Sequence, residues 1–226
     1  MLPRETLATA QVPDGETLTL VSHGRDFIIM LGRDELMGTR MQFSEEQLAE
    51  LTLAELDAPR PRVLIGGYGM GFTYRAALAS LPEGGSVTVA EIVPDILEWA
   101  AGALAHLTGD SLSDPRGEVV ICDVAALIDD ANDGTTPKYD AILLDVDNGP
   151  DGIVRDANFR IYTKTGLGKA RDALRPGGIL AVWSAAPDHK FTQRLKDSGF
   201  SVEVREVRAR PNNKGPRHTI WFARKR

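Results

Sequence analysis

Cysteine is almost absent from these 226 residues: Cys122 stands alone, which excludes an internal disulfide framework. Histidine is nearly as scarce. The four, at positions 23, 106, 189 and 218, are scattered and leave no spaced ligand set for a structural zinc, so no metal is expected. No apolar run approaches the ~20 residues of a membrane-spanning helix. The opening segment MLPRETLATAQ lacks the apolar core of a secretory signal, and a cytoplasmic location without membrane contact is the expectation. Internal repeats and low-complexity segments are missing too.

What is present is an ordinary globular composition, 42% hydrophobic and 26% charged, in a chain that can bury a full core and suits one α/β domain with a small appendage. The formal charge of -6 argues against wholesale polyanion binding, so nucleic acid is not an expected partner. The charge is uneven. Residues 197–226 carry eight Lys or Arg against three Asp or Glu; a solvated surface is the plain reading, contact with a phosphate or an acidic partner the alternative. The acidic remainder favours a small cationic or amine-bearing substrate. Cys122 ends an apolar run and reads as a core thiol.

Residues 1–43 look like a small β element, with β-prone runs at 17–21, 27–31 and 35–41 separated by turn-rich segments. Such a unit is marginal alone and must pack on the main domain or on another subunit. Ser44 followed by Gln47 has the form of a capping box opening a helix. From there to residue 226 helix and strand alternate: strands are expected at 62–66, 86–91, 118–122, 140–145 and 179–184, helices at 72–81, 94–107, 124–130, 163–174 and 188–197. Units of this length mean a mostly parallel, Rossmann-like sheet covered on both faces. The last two strands, 200–208 and 217–224, are joined only by a loop and must be antiparallel.

The pivot is Arg62 to Thr73, RVLIGGYGMGFT. An apolar strand runs into glycines at 67, 69 and 71, and a helix follows, so backbone N–H groups gather between strand end and helix start. Glu91 closes the next apolar run, where a carboxylate can accept from both hydroxyls of a ribose. The dinucleotide pattern GxGxxG would need glycine at 72, and Phe72 stands there. The spacing fits an S-adenosylmethionine-type nucleoside better. In an open α/β sheet ligands bind beyond the carboxyl ends of the strands, which brings Glu91, Asp123 and Asp145 to one crevice. Plainer readings remain beside these: Glu91 as a surface residue, Asp123 as the N-cap of a helix beginning at Val124, and Asp145 to Asn148 as loop solvation. A sulfonium donor needs alignment more than covalent help, whereas an amine acceptor must first lose a proton. Asp145 and Asp147 are the candidates to hold the cation and accept it.

In these residues, taken in order, the chain resembles the spermidine synthase (polyamine aminopropyltransferase) family within the class I S-adenosylmethionine-dependent methyltransferase fold. VLIGGYGMGFTYR falls on the family's GGGDGG segment and its following Thr and Arg. Pro150, Ile161-Tyr162-Thr163 and Leu174-Arg175-Pro176-Gly177-Gly178 match later landmarks. The resemblance implies a seven-stranded, mostly parallel sheet ending in an antiparallel hairpin, with a small N-terminal β element and a homodimeric assembly. It implies ribose binding by Glu91, an adenine contact at Asp123 and a base at Asp145, the first aspartate of the family's D-S-S-D segment. The expected nucleoside-binding set is Gly67, Tyr68, Gly69, Met70, Gly71, Glu91, Ile92, Asp123 and Val124. The co-substrate is S-adenosylmethionine or its decarboxylated form.

Departures bear on the reaction. The aspartate inside GGGDGG is Met70 here, Tyr-His-Glu reads Glu45-Glu46-Gln47, and D-S-S-D reads Asp145-Val146-Asp147-Asn148. In the family that aspartate contacts the amino end of the decarboxylated donor. With Met70 in its place, methyl transfer is expected ahead of aminopropyl transfer. A true polyamine aminopropyltransferase and a non-catalytic nucleoside-binding protein are the alternatives.

Overall fold

A computed structural model of the chain describes residues 3–13, 15–146, 150 and 159–226. Strands β1 (Arg4–Gln11), β2 (Thr17–His23), β3 (Asp26–Leu31) and β4 (Asp34–Gly38) make an antiparallel sheet in chain order. The first of them has no counterpart in the sequence reading. RETLATAQ is exposed along most of its length and carries no apolar alternation; pairing with β2 makes it a strand. The run expected over 35–41 stops at Gly38, and Thr39–Met41 turns as a 3-10 helix.

Helix α1 (Phe43–Ala54) starts one residue before the expected cap. Gln42 occupies the N-cap position and makes no side-chain cap bond. Ser44 is buried inside the first turn, its Oγ 2.7 Å from His218 Nδ1 and accepting from Trp183 Nε1 at 3.1 Å. The capping-box pattern therefore serves a tertiary tie between α1 and the main sheet.

The main domain runs β5 (Arg62–Gly66), α2 (Phe72–Ser80), β6 (Ser86–Glu91), α3 (Pro94–Ala101), α4 (Ala105–Thr108), β7 (Gly117–Ile121), α5 (Val124–Asp133) and β8 (Tyr139–Leu144). It continues with α6 (Phe159–Tyr162), α7 (Lys164–Ala173), β9 (Leu174–Ser184), α8 (His189–Asp197), β10 (Phe200–Arg210) and β11 (Lys214–Lys225). The single helix expected over 94–107 is broken at Gly102, whose φ of -106° and ψ of -102° are not helical. The strand expected from 179 begins at Leu174, because Leu174 already pairs with Tyr139 and the Pro-Gly-Gly segment passes as an irregularity in register.

The seven strands lie in the order β10-β11-β9-β8-β5-β6-β7. Neighbours from β9 to β7 are parallel, and β11 is antiparallel to both β9 and β10. Period-two alternation sends side chains to two cores. Val63, Ile65, Val87, Val89, Leu143 and Ala181 face one, and Leu64, Ala90, Ile142, Leu144 and Val182 the other. Leu18, Leu20, Ile29 and Leu31 of the small sheet belong to the first, so that sheet packs on one mouth of the main one and shares its core. The basic end of the chain is partly paired at home: Arg205 and Arg224 meet Glu55, and Arg217 meets Glu206.

Candidate functional site

The strand order changes direction between β5 and β8, and the crevice beyond their carboxyl ends is where an open α/β sheet binds ligands. Gly67 follows β5 directly. Its φ is +88°, and a Cβ there would lie 2.3 Å from the Asp145 carbonyl oxygen, so glycine alone lets the two strand ends lie together. Backbone bonds fix the junction: Gly67 N donates to Ala90 O at 2.9 Å and Asp145 N to Gly66 O at 3.0 Å. Gly67→Ala is expected to destabilise the fold by roughly 1–3 kcal/mol from backbone strain alone, read as a lowered midpoint in denaturant unfolding. An unchanged midpoint would mean that the two strand ends need not touch.

Against this junction lies a cavity of about 150 Å³ whose wall includes Gly67, Tyr68, Gly69, Glu91, Ile92, Asp123, Val124 and Asp145. Carboxyl ends of four neighbouring strands thus deliver eight of the expected residues to one place. Two others are elsewhere. Met70 is fully buried in the first core, and Gly71, at φ +75°, is the N-cap of α2, its N donating to Tyr68 O at 2.7 Å. The cavity meets the first half of the glycine turn, away from the helix N-terminus. Phe72 is likewise turned into the core, so its ring does not stand in the cavity. Asp147 lies outside the described residues.

Glu91 is only 7% exposed. Its Oε2 accepts from Tyr68 N and its Oε1 from Val93 N, each at 2.9 Å. Those bonds tie the glycine turn to the loop after β6 and orient the carboxylate, while each oxygen keeps a further lone pair for a hydroxyl. Asp123 is exposed and caps α5, Oδ1 accepting from Ala125 N at 2.9 Å. The plainer reading of Asp123 is thus realised, with Oδ2 left over. Cys122, half-buried, also lines the cavity, and burial pushes its thiol up.

Asp145 is half-buried just after β8 and accepts from Thr73 Oγ1 at 2.6 Å. Burial raises its carboxyl from 3.8 to about 6, with the Thr73 bond pulling the other way. Beside it stands a residue that the sequence reading did not select. Glu45, on α1, is 6% exposed and lines the same cavity. Burial first, then the negative charges of Asp145 and Glu46, push it well above the usual carboxylate range. The signal was available: Glu45, Leu48, Ala49, Thr52 and Leu53 are all buried, at the i, i+3, i+4, i+7, i+8 spacing of a core-facing stripe. A carboxylate on that stripe is the anomaly.

A second cavity of about 420 Å³ adjoins the first, with Leu36, Met37, Glu45 and Trp183 in both walls and Glu35 and His218 beyond. Burial lowers His218 and favours its neutral form. Among the described residues no three His, Cys, Asp or Glu gather as a metal site, and no helix is long and apolar enough to cross a membrane.

No family model matches the chain. It is similar to the polyamine aminopropyltransferase of Shewanella oneidensis, 30% identical over 194 residues, which cover 73% of this chain and 31% of that protein. The chain spans about a third of the length of the curated relatives it matches. Among solved structures, spermidine synthase from Thermotoga maritima superposes with a TM-score of 0.76 at 19% identity, covering 98% of this chain and 73% of that one. Spermidine synthase in complex with the transition state analogue AdoDATO gives 0.74 at 19%, covering 98% and 72%. Neither these names nor the core position of Met70 supports the expected lead of methyl over aminopropyl transfer. Fold and sequence likeness together make the chain a spermidine-synthase-like protein of the class I S-adenosylmethionine-dependent methyltransferase fold.

Proposed function

We propose that the chain is an aminopropyltransferase that takes decarboxylated S-adenosylmethionine as donor and a small amine as acceptor. The observation that carries this reading is the pairing, in one cavity, of an oriented Glu91 carboxylate with an Asp145 carboxyl raised to about 6. Glu91 accepts from the ribose, Gly67 to Gly69 give the backbone room to lie along the nucleoside, and Asp123 and Val124 border the base. Asp145 takes the proton from the acceptor ammonium, a task that suits a pKa near the working pH. The freed amine attacks the carbon bound to sulfur, and that sulfur leaves with the electron pair as neutral methylthioadenosine. Residues 44–226 form the nucleoside-binding domain, and 1–43 the β element that covers it; a homodimer is part of the proposal.

Product analysis by mass spectrometry tests it. Purified protein with the decarboxylated donor and 1,4-diaminobutane is expected to yield methylthioadenosine and a triamine. Formation of S-adenosylhomocysteine from the intact donor, with no reaction of the decarboxylated one, would overturn the choice of donor.

Seating the nucleoside requires more room than the cavity holds, since sites for ligands of this size enclose ~300–1,000 Å³. Met37 is the movable part. Its Sδ would lie 2.6 Å from a Cβ at Gly69, and an unbranched thioether has the rotatable bonds to swing clear. Met37→Ala is expected to tighten methylthioadenosine binding several-fold in calorimetry. Weaker binding would show that Met37 is a wall of the site and not an obstruction.

A further inference from the structure

We propose that Glu45 is the second acid of the acceptor site, joining Asp145 in holding a protonated primary amine and in receiving its proton. The inference rests on the transferase reading above and adds a second group that meets the acceptor ammonium.

Glu45 is more than nine-tenths buried, and among the described residues its Oε2 has no hydrogen-bond partner. A buried carboxylate oxygen left bare is destabilising to the fold. Its neighbours do not offset it. On its own helix Glu46 is negative; on the loop after β8 Asp145 is negative. From β4, Glu35 faces the second cavity, and from β11 His218 is favoured neutral by burial. Arg75 of α2 acts on Glu46, not on Glu45. Among the described groups that act on Glu45 none is a cation, so the counter-charge that fits is one brought by a ligand.

Geometry places that ligand. The Thr73 hydroxyl donates to Asp145 Oδ2 at 2.6 Å and lies 3.2 Å from the Glu45 carbonyl oxygen, which holds α1 and the loop after β8 within one hydroxyl's reach. Both acids line the nucleoside cavity, and Glu45 also lines the second. Glu45 therefore stands where an amine crossing from the second cavity meets the donor. Two neighbouring buried carboxyls do not both ionise readily, and the Asp145 charge is one of the causes that raise Glu45. An entering ammonium stabilises the ionised pair, then gives it one proton. The nitrogen lone pair so released forms the new C–N bond as the C–S bond breaks toward sulfur, and the pair passes its proton to solvent when the products leave.

The test is a titration of 1,4-diaminobutane into methylthioadenosine-saturated protein, for wild type, Glu45→Gln and Glu45→Asp, in two buffers of different ionisation enthalpy. Glu45→Gln is expected to weaken diamine binding at least tenfold and to change the number of protons exchanged on binding. Its own thermal midpoint should rise, since a bare buried carboxylate is removed. Glu45→Asp should recover part of the affinity. If Glu45→Gln binds the diamine as wild type does with the same proton count, Glu45 is a structural residue and the inference falls. Failure of wild type to bind methylthioadenosine at all would instead remove the transferase reading, and this inference with it.

Discussion

Asp145→Asn is expected to bind methylthioadenosine as wild type does yet to form polyamine about 10²–10⁴-fold more slowly, the usual loss when a positioned base is removed. The same variant should be more stable near neutral pH. The wild-type carboxyl titrates near 6 in the fold against an ordinary 3.8, so the folded state holds its proton over a pH range in which the unfolded chain has lost it. Stability from this group is complete below about 3.8 and is lost as the pH rises through about 6. The full penalty at pH 7.5 is roughly 3 kcal/mol at 1.36 kcal/mol per pKa unit. Losing part of the Thr73 bond reduces the gain to about 1–2 kcal/mol. Urea unfolding at pH 7.5 and at pH 4 reads this, the difference between variant and wild type shrinking at the lower pH. The rate profile of wild type should show an acid limb near pH 6, where the base becomes protonated. An Asn variant with most of its turnover intact would place the base elsewhere.

Glu91→Gln should lose both the ligand and part of the fold. Each carboxylate oxygen already accepts from a backbone N–H, from Tyr68 and from Val93. A glutamine can offer one oxygen only; its amide nitrogen would face a second donor. Hydrogen bonds to a charged group contribute about 1.5–3 kcal/mol each, so the variant should be destabilised by about 2–3 kcal/mol. With the turn between Gly67 and Gly69 released, affinity for methylthioadenosine should fall about 100-fold or more, the equivalent of roughly 2.7 kcal/mol. Denaturant unfolding and calorimetry on the same preparation separate the two effects. Unchanged affinity in a destabilised protein would assign Glu91 to the fold alone.

The parts of the fold visible in the sequence are those set by local pattern. The apolar run before Gly67, the spaced strands ending at Glu91 and before Asp145, and the two closing strands joined by a short loop all follow from periodicity and turn residues. Carboxylates at strand ends became a crevice because parallel sheets present their carboxyl ends together. What stayed hidden depends on contacts distant in sequence. Ser44 looks like a cap until His218 and Trp183 are brought to it. Met70 sits between two glycines that lie in or beside the turn, and only the observed backbone turns it into the core. Strand β1 has no apolar alternation and exists through its partner. Glu45 was readable in principle, since a charged residue on a buried helical stripe is costly unless something meets it.

A crystal structure with methylthioadenosine bound is the most direct check on the site. We expect both ribose hydroxyls within hydrogen-bonding distance of Glu91, the adenine edge beside Asp123 and Val124, the sulfur turned toward Asp145, and Met37 moved off Gly69. A nucleoside lodged away from the glycine turn, or one whose sugar makes no contact with Glu91, would contradict it.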